Sequence, residues 1–346
     1  MVSEPRRRVP AEWEPHAACW TAWPTHRYAW GEALQPAQRQ AAAFMQAIAQ
    51  QPGSERLRVL HAELDGEPMA RAAAGLVCET IDDIAYGDVW LRDTGPVFVQ
   101  EGARQLAVDF GFDGWGGKYL YPHDAEVAAA VALRAGIEVQ AEPFVLEGGA
   151  LECDGQGTLL TTRSCLLDAI RNPGAQLPDV EAMLAARLGA QRVLWLDHGL
   201  AGDHTDGHID NIARFVGPAA VVCGRATDDD DPNTEVLQAI EAQLRVSRDA
   251  ADRPLEVFTL PSAGLVVDAD GAPMPASYLN FYIGNAVVIV PAFGRPTDAQ
   301  AAEVLDTCFP TRRVLSLPAD ALLLGGGTFH CMSRQQPAQQ AHATDG

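Results

Sequence analysis

The chain has 346 residues, of which 46 are acidic and 25 basic, giving a formal charge of −21, and 47% of its residues are hydrophobic. That hydrophobic share supports a substantial core and excludes the polar composition of disordered chains. The acidic balance argues against nucleic acid and anionic membranes, since both need a basic footprint. Acidity suits a cationic ligand, although it is also an ordinary route to solubility.

Taken in chain order, a helix is expected over Ala37–Gln51, followed by strands at Leu57–Leu64, Asp88–Val99 and Gln105–Phe110. A second helix, Asp124–Ala135, ends at Gly136, where a left-handed terminating residue belongs. Strands Ile137–Val145 and Leu159–Thr162 precede a helix at Asp179–Leu188, which Pro178 starts and Gly189 stops. Strands Arg192–Leu196, Asn211–Val216 and Ala219–Cys223 lead to the helix Thr234–Leu244. Strands Leu255–Leu260, Tyr278–Ile283 and Ala286–Val290 lead to the helix Asp298–Thr307, with Thr297 and Gln300 placed for a capping box, and Arg313–Leu317 closes the series.

This order is that of an α/β chain built from a repeated strand-strand-helix-strand unit. Helix starts at 124, 179, 234 and 298 recur every 55 to 64 residues, as in units arrayed about an axis, although a plain layered α/β fold shows similar alternation. No linker divides the chain, so residues 1–346 read as one domain, with flexible tails at 1–9 and 338–346. The acidic run Asp228–Asp231 reads as a solvated loop.

Seven cysteines form no CxxC pair and are odd in number, which points to free thiols in a reducing compartment. Arg6-Arg7-Arg8 is followed by no apolar stretch of signal-peptide type, and runs such as Ala286–Phe293 are too short to span a bilayer. A cytoplasmic location is expected.

The chemistry concentrates at strand ends and turns. Cys331 ends Gly325-Gly326-Gly327-Thr328-Phe329-His330-Cys331, a glycine run that can deliver a nucleophile close to a ligand. Asp203–Asn211 packs two histidines and three aspartates into nine positions, and in an extended segment His208 and Asp210 would face the same way. Asp93 lies in Trp90-Leu91-Arg92-Asp93-Thr94-Gly95-Pro96, Glu147 beside Gly148-Gly149, and Asn280 inside Tyr278–Tyr282. From Asp93 through Glu147, His208 and Asn280 to Cys331 the steps are 51 to 72 residues, close to the unit period, so a ring of units would bring one such position each to a centre.

Each residue also has a structural reading: a buried Cys packs as a small hydrophobe, and an Asp before Thr-Gly-Pro serves turn chemistry. His204 and His208 are four apart, but Gly207 between them opposes a helix and no second cluster offers a third ligand, so no metal is expected. Serine-elbow, phosphate-loop and dinucleotide fingerprints are missing from the sequence.

Pro10–His16 with Trp20 to Pro24, the Asp93 and Glu147 segments, Gly207–Asn211, Ser277–Ile283 and Gly325–Pro337 together resemble, in order, the agmatine deiminase family of the guanidine-modifying pentein superfamily, which includes bacterial peptidylarginine deiminases. The family's last motif resembles Gly-Gly-Gly-Asn-x-His-Cys-x-Thr-Gln-Gln; here Thr328, Ser333 and Arg334 stand at the Asn, Thr and first Gln positions, departures that bear on fine positioning and on substrate preference near Arg334. The resemblance implies a five-unit α/β-propeller and a cofactor-free hydrolysis of a guanidinium to a ureido group and ammonia. It implies Cys331 as nucleophile, His208 as acid and base, Asp93 and Asp210 as guanidinium ligands, and Glu147 as support for His208. Trp90 and Asn280 would also meet the substrate.

The small cation agmatine is the expected substrate and carbamoylputrescine the product. Arginine or peptidylarginine deimination and amidino transfer to an amine are the enzymatic alternatives. A non-catalytic polyamine binder and a metal hydrolase using His204 and His208 are the others. A homodimer is compatible with the sequence.

Overall fold

The computed structural model describes residues 7–62, 68–69, 73–228 and 230–339. The chain is mixed α/β, and one local pattern occurs five times: an antiparallel strand pair, then a helical crossover to a strand that adds in parallel. In the first, β5 (Val97–Glu101) and β6 (Arg104–Gly111) form a hairpin, and the helix Val127–Arg134 leads to β7 (Glu138–Val145) beside β6. The second joins β8 (Glu152–Cys153), β9 (Thr158–Thr162) and β10 (Arg192–Leu196). The third joins β11 (Ala213–Gly217), β12 (Ala220–Arg225) and β13 (Glu256–Pro261). The fourth joins β16 (Tyr282–Ile283), β17 (Val287–Ala292) and β18 (Arg313–Pro318).

The fifth unit is assembled from both ends of the chain. The strand β19 (Ser333–Pro337) pairs antiparallel with β2 (His16–Ala22), which runs parallel to β3 (Arg56–Leu60) after the helix Leu34–Ala49. A further short strand, β4 (Glu79–Ile81), extends that sheet. Neither β2 nor β19 is expected from the sequence, for a physical reason. Six of the seven β2 residues are buried, so polar alternation is lost, while Ser-Arg-Gln-Gln-Pro of β19 is polar throughout yet largely buried.

Crossover helices bury one stripe each. On Leu34–Ala49 the stripe is Leu34, Ala37, Gln38, Ala41, Ala42, Phe44, Met45 and Ile48, at helical spacing. Phe44 stacks on Phe329 at a centroid distance of 5.1 Å, an aromatic pair of about 0.5–1.5 kcal/mol beyond its burial. That stack anchors the Cys331 turn to the core.

Several expected boundaries shift where turns replace strand. Asp88–Val99 is not continuous: a helical turn at Leu91–Thr94 carries Asp93, and pairing begins at Val97. A 3₁₀ turn at Ile209–Asn211 puts Asp210 before the strand, which starts at Ala213, so His208 and Asp210 are not presented by extended backbone. Only Tyr282–Ile283 of the Tyr278–Ile283 segment pairs as strand. The capping box does not form, because Thr297 Oγ1 bonds Tyr278 Oη at 2.9 Å instead. Gly136 and Gly189 do adopt left-handed backbone, and the helix Leu177–Leu188, which takes Pro178 into its first turn, ends where expected.

Arg7 and Arg8 pair with Glu101 and Gln100, so the chain is tied into a sheet from Arg7 onward. Residues 1–6 and 340–346 of the expected tails, Glu63 and Leu64 of the expected first strand and Asp229 of the acidic run lie outside the described residues. All seven cysteines are free thiols. Among the described residues no helix is long and apolar enough to cross a membrane.

Candidate active site

Cys331, Asp93, Glu147, His208, Asp210 and Asn280, drawn from five separate segments, come together in the interior, and each is buried. Cys331 and Asp93 line the floor of a cavity of about 120 Å³, walled by Trp90, Trp115, Tyr119 and Tyr121.

Asn280 organises the thiol. Its Nδ2 donates to Cys331 Sγ at 3.0 Å and to Asp210 Oδ2 at 3.1 Å, and its Oδ1 accepts from the Cys331 amide at 3.2 Å. Thr328 Oγ1 donates 2.8 Å to Asn280 Oδ1, and Ser333 Oγ bonds the His330 carbonyl at 3.0 Å. Thr328 and Ser333 thus work as local braces of the Cys331 turn. Arg334 lies elsewhere: buried, it donates from Nε to the Pro96 carbonyl and borders a different cavity, with Glu12 and Arg92. Arg334 packs beneath Gly95 and Gly148, outside the lining of the Cys331 cavity.

Gly149 is where the polar groups converge. A Cβ there would lie 2.5 Å from His208 Nδ1, 2.8 Å from Asp93 Oδ1 and 3.2 Å from Asp210 Oδ2. Gly327 plays the same part beside the sulfur, since its Cβ would lie 3.0 Å from Cys331 Sγ. Close approach is what these two glycines supply.

Asp93 accepts from the Gly149 amide at 2.8 Å and from Trp115 Nε1 at 2.9 Å. Burial pushes its carboxyl up to about 6, aided by the Asp210 charge and opposed by His208. His208 Nδ1 stands 3.7 Å from Asp93 Oδ1 and its Nε2 stands 3.8 Å from Glu147 Oε2. Burial would favour the neutral imidazole, but Asp93, Cys165 and Glu147 outweigh it and hold His208 well above its ordinary range.

Glu147 is desolvated, yet His208 and Arg171 bring it down to about 2; Arg171 Nε donates to it at 2.8 Å. Asp210 is also buried, and its 2.7 Å bond from His330 Nδ1 keeps it below the usual carboxylate range. Burial, then the charges of Asp210 and Asp93, pushes the Cys331 thiol well up. The free site therefore holds an excess of negative charge around a protonated thiol.

Asp210 Oδ1 and both ring nitrogens of His208 are buried without a hydrogen-bond partner. Such atoms cost free energy unless a ligand completes them, and they gather at functional sites.

Sequence reasoning missed the groups that hold the site. Glu12, quoted only within a motif, bonds Arg92 at 2.7 Å, Arg214 at 2.6 Å and His330 at 2.9 Å. Arg214 Nη1 also clamps the carbonyls of Leu279 and Phe281 at 3.0 and 2.9 Å, fixing the turn that carries Asn280. Arg171 ties Glu147 to the Thr205–Asp206 loop, bonding Asp206 at 2.6 Å and the Thr205 carbonyl at 2.9 Å. No local pattern marks these arginines, because their partners are distant in sequence. Trp115, with φ of 56°, sits in the turn Gly114-Trp115-Gly116-Gly117, whose glycines were the available signal.

The His204–His208 pair does not form a site: His204 bonds Tyr119 Oη at 2.9 Å at the cavity wall, whereas His208 lies beneath it, fully buried. Glu147, Cys165 and His208 form a cluster whose potential ligand atoms lie within 4.8 Å of one another, a grouping the sequence did not reveal. The Arg171 guanidinium already occupies Glu147 in that cluster, which disfavours a cation there.

Fold and site place the chain among α/β proteins that group a buried thiol with carboxylates suited to a planar cation. It belongs to the Porphyromonas-type peptidyl-arginine deiminase family, whose profile matches residues 8–337. It is similar to an agmatine deiminase of Stutzerimonas stutzeri, at 39% identity over 98% of both chains. A Pseudomonas aeruginosa agmatine deiminase is 37% identical over 96% of this chain and 95% of its own. Among solved structures it is similar to the agmatine deiminase of Enterococcus faecalis, with a TM-score of 0.89, 30% identity, and 98% and 99% of the two chains covered.

Proposed function

We propose that the protein hydrolyses agmatine to N-carbamoylputrescine and ammonia. The observation that carries this reading is the convergence of Asn280, Asp210 and His208 on Cys331 and Asp93, the two that line the cavity, in a chain of this family. The relatives' names point to agmatine. The five repeated units are read as a pseudo-symmetric propeller within one domain spanning residues 1–346, in which each unit sends a residue to the centre. A cytoplasmic setting fits the free thiols.

The chemistry follows from the charges. A guanidinium entering between Asp93 and Asp210 pairs with both carboxylates through planar hydrogen bonds and fills the vacant Asp210 Oδ1. Its positive charge offsets the two carboxylates that hold the Cys331 thiol protonated, so substrate binding itself favours the thiolate. The thiol proton passes to solvent as the cation binds, and the sulfur attacks the central carbon, forming a C–S bond as the C=N π pair moves onto nitrogen. His208, protonated in the free site, gives its proton to the departing nitrogen, and ammonia leaves from the tetrahedral adduct.

An amidino group is then carried on Cys331. Neutral His208 takes a proton from water, the resulting hydroxide adds to the amidino carbon, and the C–S bond breaks as the hydroxyl proton passes to the departing sulfur, which restores the thiol and releases the ureido product. Glu147 orients His208 and favours its protonated form. Trp90 flanks the guanidinium plane and Asn280 steadies the sulfur.

The test is ammonia release from agmatine, arginine and a peptide arginine, measured side by side for the wild type and Cys331→Ala. Turnover of agmatine above the other two, lost in the variant while agmatine still binds, is expected. Equal rates in Cys331→Ala would sink the mechanism, and preference for either arginine substrate would overturn the choice of agmatine.

A further inference from the structure

The same cavity carries a second carboxylate, away from the sulfur, to which the mechanism assigns nothing. Asp88 lines the wall in the turn ahead of Trp90 and is buried. Trp90 connects it to the reaction centre. A Cβ at Gly327 would lie 2.9 Å from Trp90 Cζ3 and 3.0 Å from Cys331 Sγ, so the benzo edge of the indole sits beside the thiol. The opposite, pyrrole edge donates from Nε1 to Asp88 Oδ2 at 2.8 Å. The indole therefore separates thiol and carboxylate by its own length, a span suited to the four-carbon arm of agmatine.

Asp88 is rigidly held but not neutralised. Its Oδ1 accepts from the Val89 amide at 2.8 Å and from Trp30 Nε1 at 3.1 Å, and Trp30 packs on Trp90 at 5.7 Å. Among the described residues, its side-chain hydrogen bonds all come from these neutral N–H donors. The described lining of the cavity includes no Lys or Arg. A buried carboxylate in that position stays costly until a cation reaches it. A substrate ending in a carboxylate would instead meet a like charge with no Lys or Arg in the described wall to pair with.

We infer that Asp88 receives the distal ammonium of agmatine, so that the cavity selects the dication by a carboxylate at each end. The inference rests on the guanidine chemistry proposed above. Asp93 and Asp210 hold the guanidinium, the arm lies along Trp90, and Asp88 closes on the ammonium.

The deciding experiment compares kcat/KM for agmatine and for n-butylguanidine, which has the same arm and no ammonium, in the wild type and in Asp88→Asn. A charge-assisted hydrogen bond of ordinary strength predicts that the wild type prefers agmatine by roughly tenfold to a hundredfold. Asp88→Asn should lose most of that preference, chiefly through a higher KM for agmatine. An equal fall for both substrates would reduce Asp88 to a brace for Trp90 and overturn the inference, leaving the guanidine chemistry intact. If Asp88→Asn does not fold, the wild type alone decides, because equal kcat/KM for the two compounds removes any ammonium receptor from the cavity. Wild-type protein silent on both compounds would overturn the guanidine chemistry and this inference together.

Discussion

At the scale of single residues, charge sets the behaviour of the site. In the proposed mechanism Asp93 pairs with the substrate cation only when ionised, and burial has moved its ionisation up to about 6. A carboxyl with a raised value is protonated below it, so kcat/KM for agmatine should fall about tenfold per pH unit below pH 6. A pH profile of the wild type checks this, and a flat profile between pH 5 and about 7 would remove Asp93 from guanidinium binding.

The identities of these residues were legible in the sequence. Cys331, His208, Asp93 and Glu147 each sit next to glycines or a tight turn, a local signature that needs no partner to be seen. Arg171, Arg214 and Glu12 were not legible in their roles, because what distinguishes them is burial against groups up to 318 residues away.

At the scale of elements, short turns present the chemistry and the repeated sheets hold those turns. Asp93 rides on a helical turn where continuous strand was expected, and Asp210 on a 3₁₀ turn just ahead of the expected strand. The apolar pattern of Asp88–Val99 and Asn211–Val216 reflects burial, which strand and buried turn share, so periodicity could not separate them. The turn at Gly148–Ala150 has no space at Gly149. Gly149→Ala should cost about 1–3 kcal/mol of stability by overpacking. Displacing His208 and Asp93 should also lower kcat about a hundredfold. Chemical denaturation and steady-state rates read the two effects, and wild-type values in both would contradict the convergence described.

Glu147 makes a second prediction at this scale. Its folded value, about 2, lies below the ordinary 4.5, so it contributes stability above about pH 4.5 that is lost as pH falls toward 2. The full contribution is on the order of 3 kcal/mol. Denaturation of Glu147→Gln should show a deficit near neutrality that narrows across that acid window. A deficit constant with pH would assign the loss to packing.

At the scale of the whole molecule, the two ends of the chain complete one unit. Ser333–Pro337 pairs with His16–Ala22, Trp20 Nε1 donates to Gln336 Oε1 at 3.0 Å, and Thr21 Oγ1 bonds the Met332 carbonyl at 2.8 Å. Truncation after Met332 would leave an unpaired strand edge directly behind Cys331, and such edges promote association. The truncated chain should therefore aggregate or lose cooperative unfolding in a thermal melt, whereas a native melting curve would show the closure to be dispensable. The repeat of units was legible from helix spacing, since each crossover is local. This closing unit was not, because its first strand is the last in sequence and is too polar to read as one.

The central claim is that Cys331 carries the amidino group during turnover. The most direct measurement is mass analysis of the wild-type protein quenched during steady-state reaction with agmatine, with peptide mapping of the product. An amidino adduct confined to the peptide containing Cys331, and not formed in Cys331→Ala, is the predicted result. Agmatine turnover with no adduct on that peptide, and undiminished in Cys331→Ala, would contradict it.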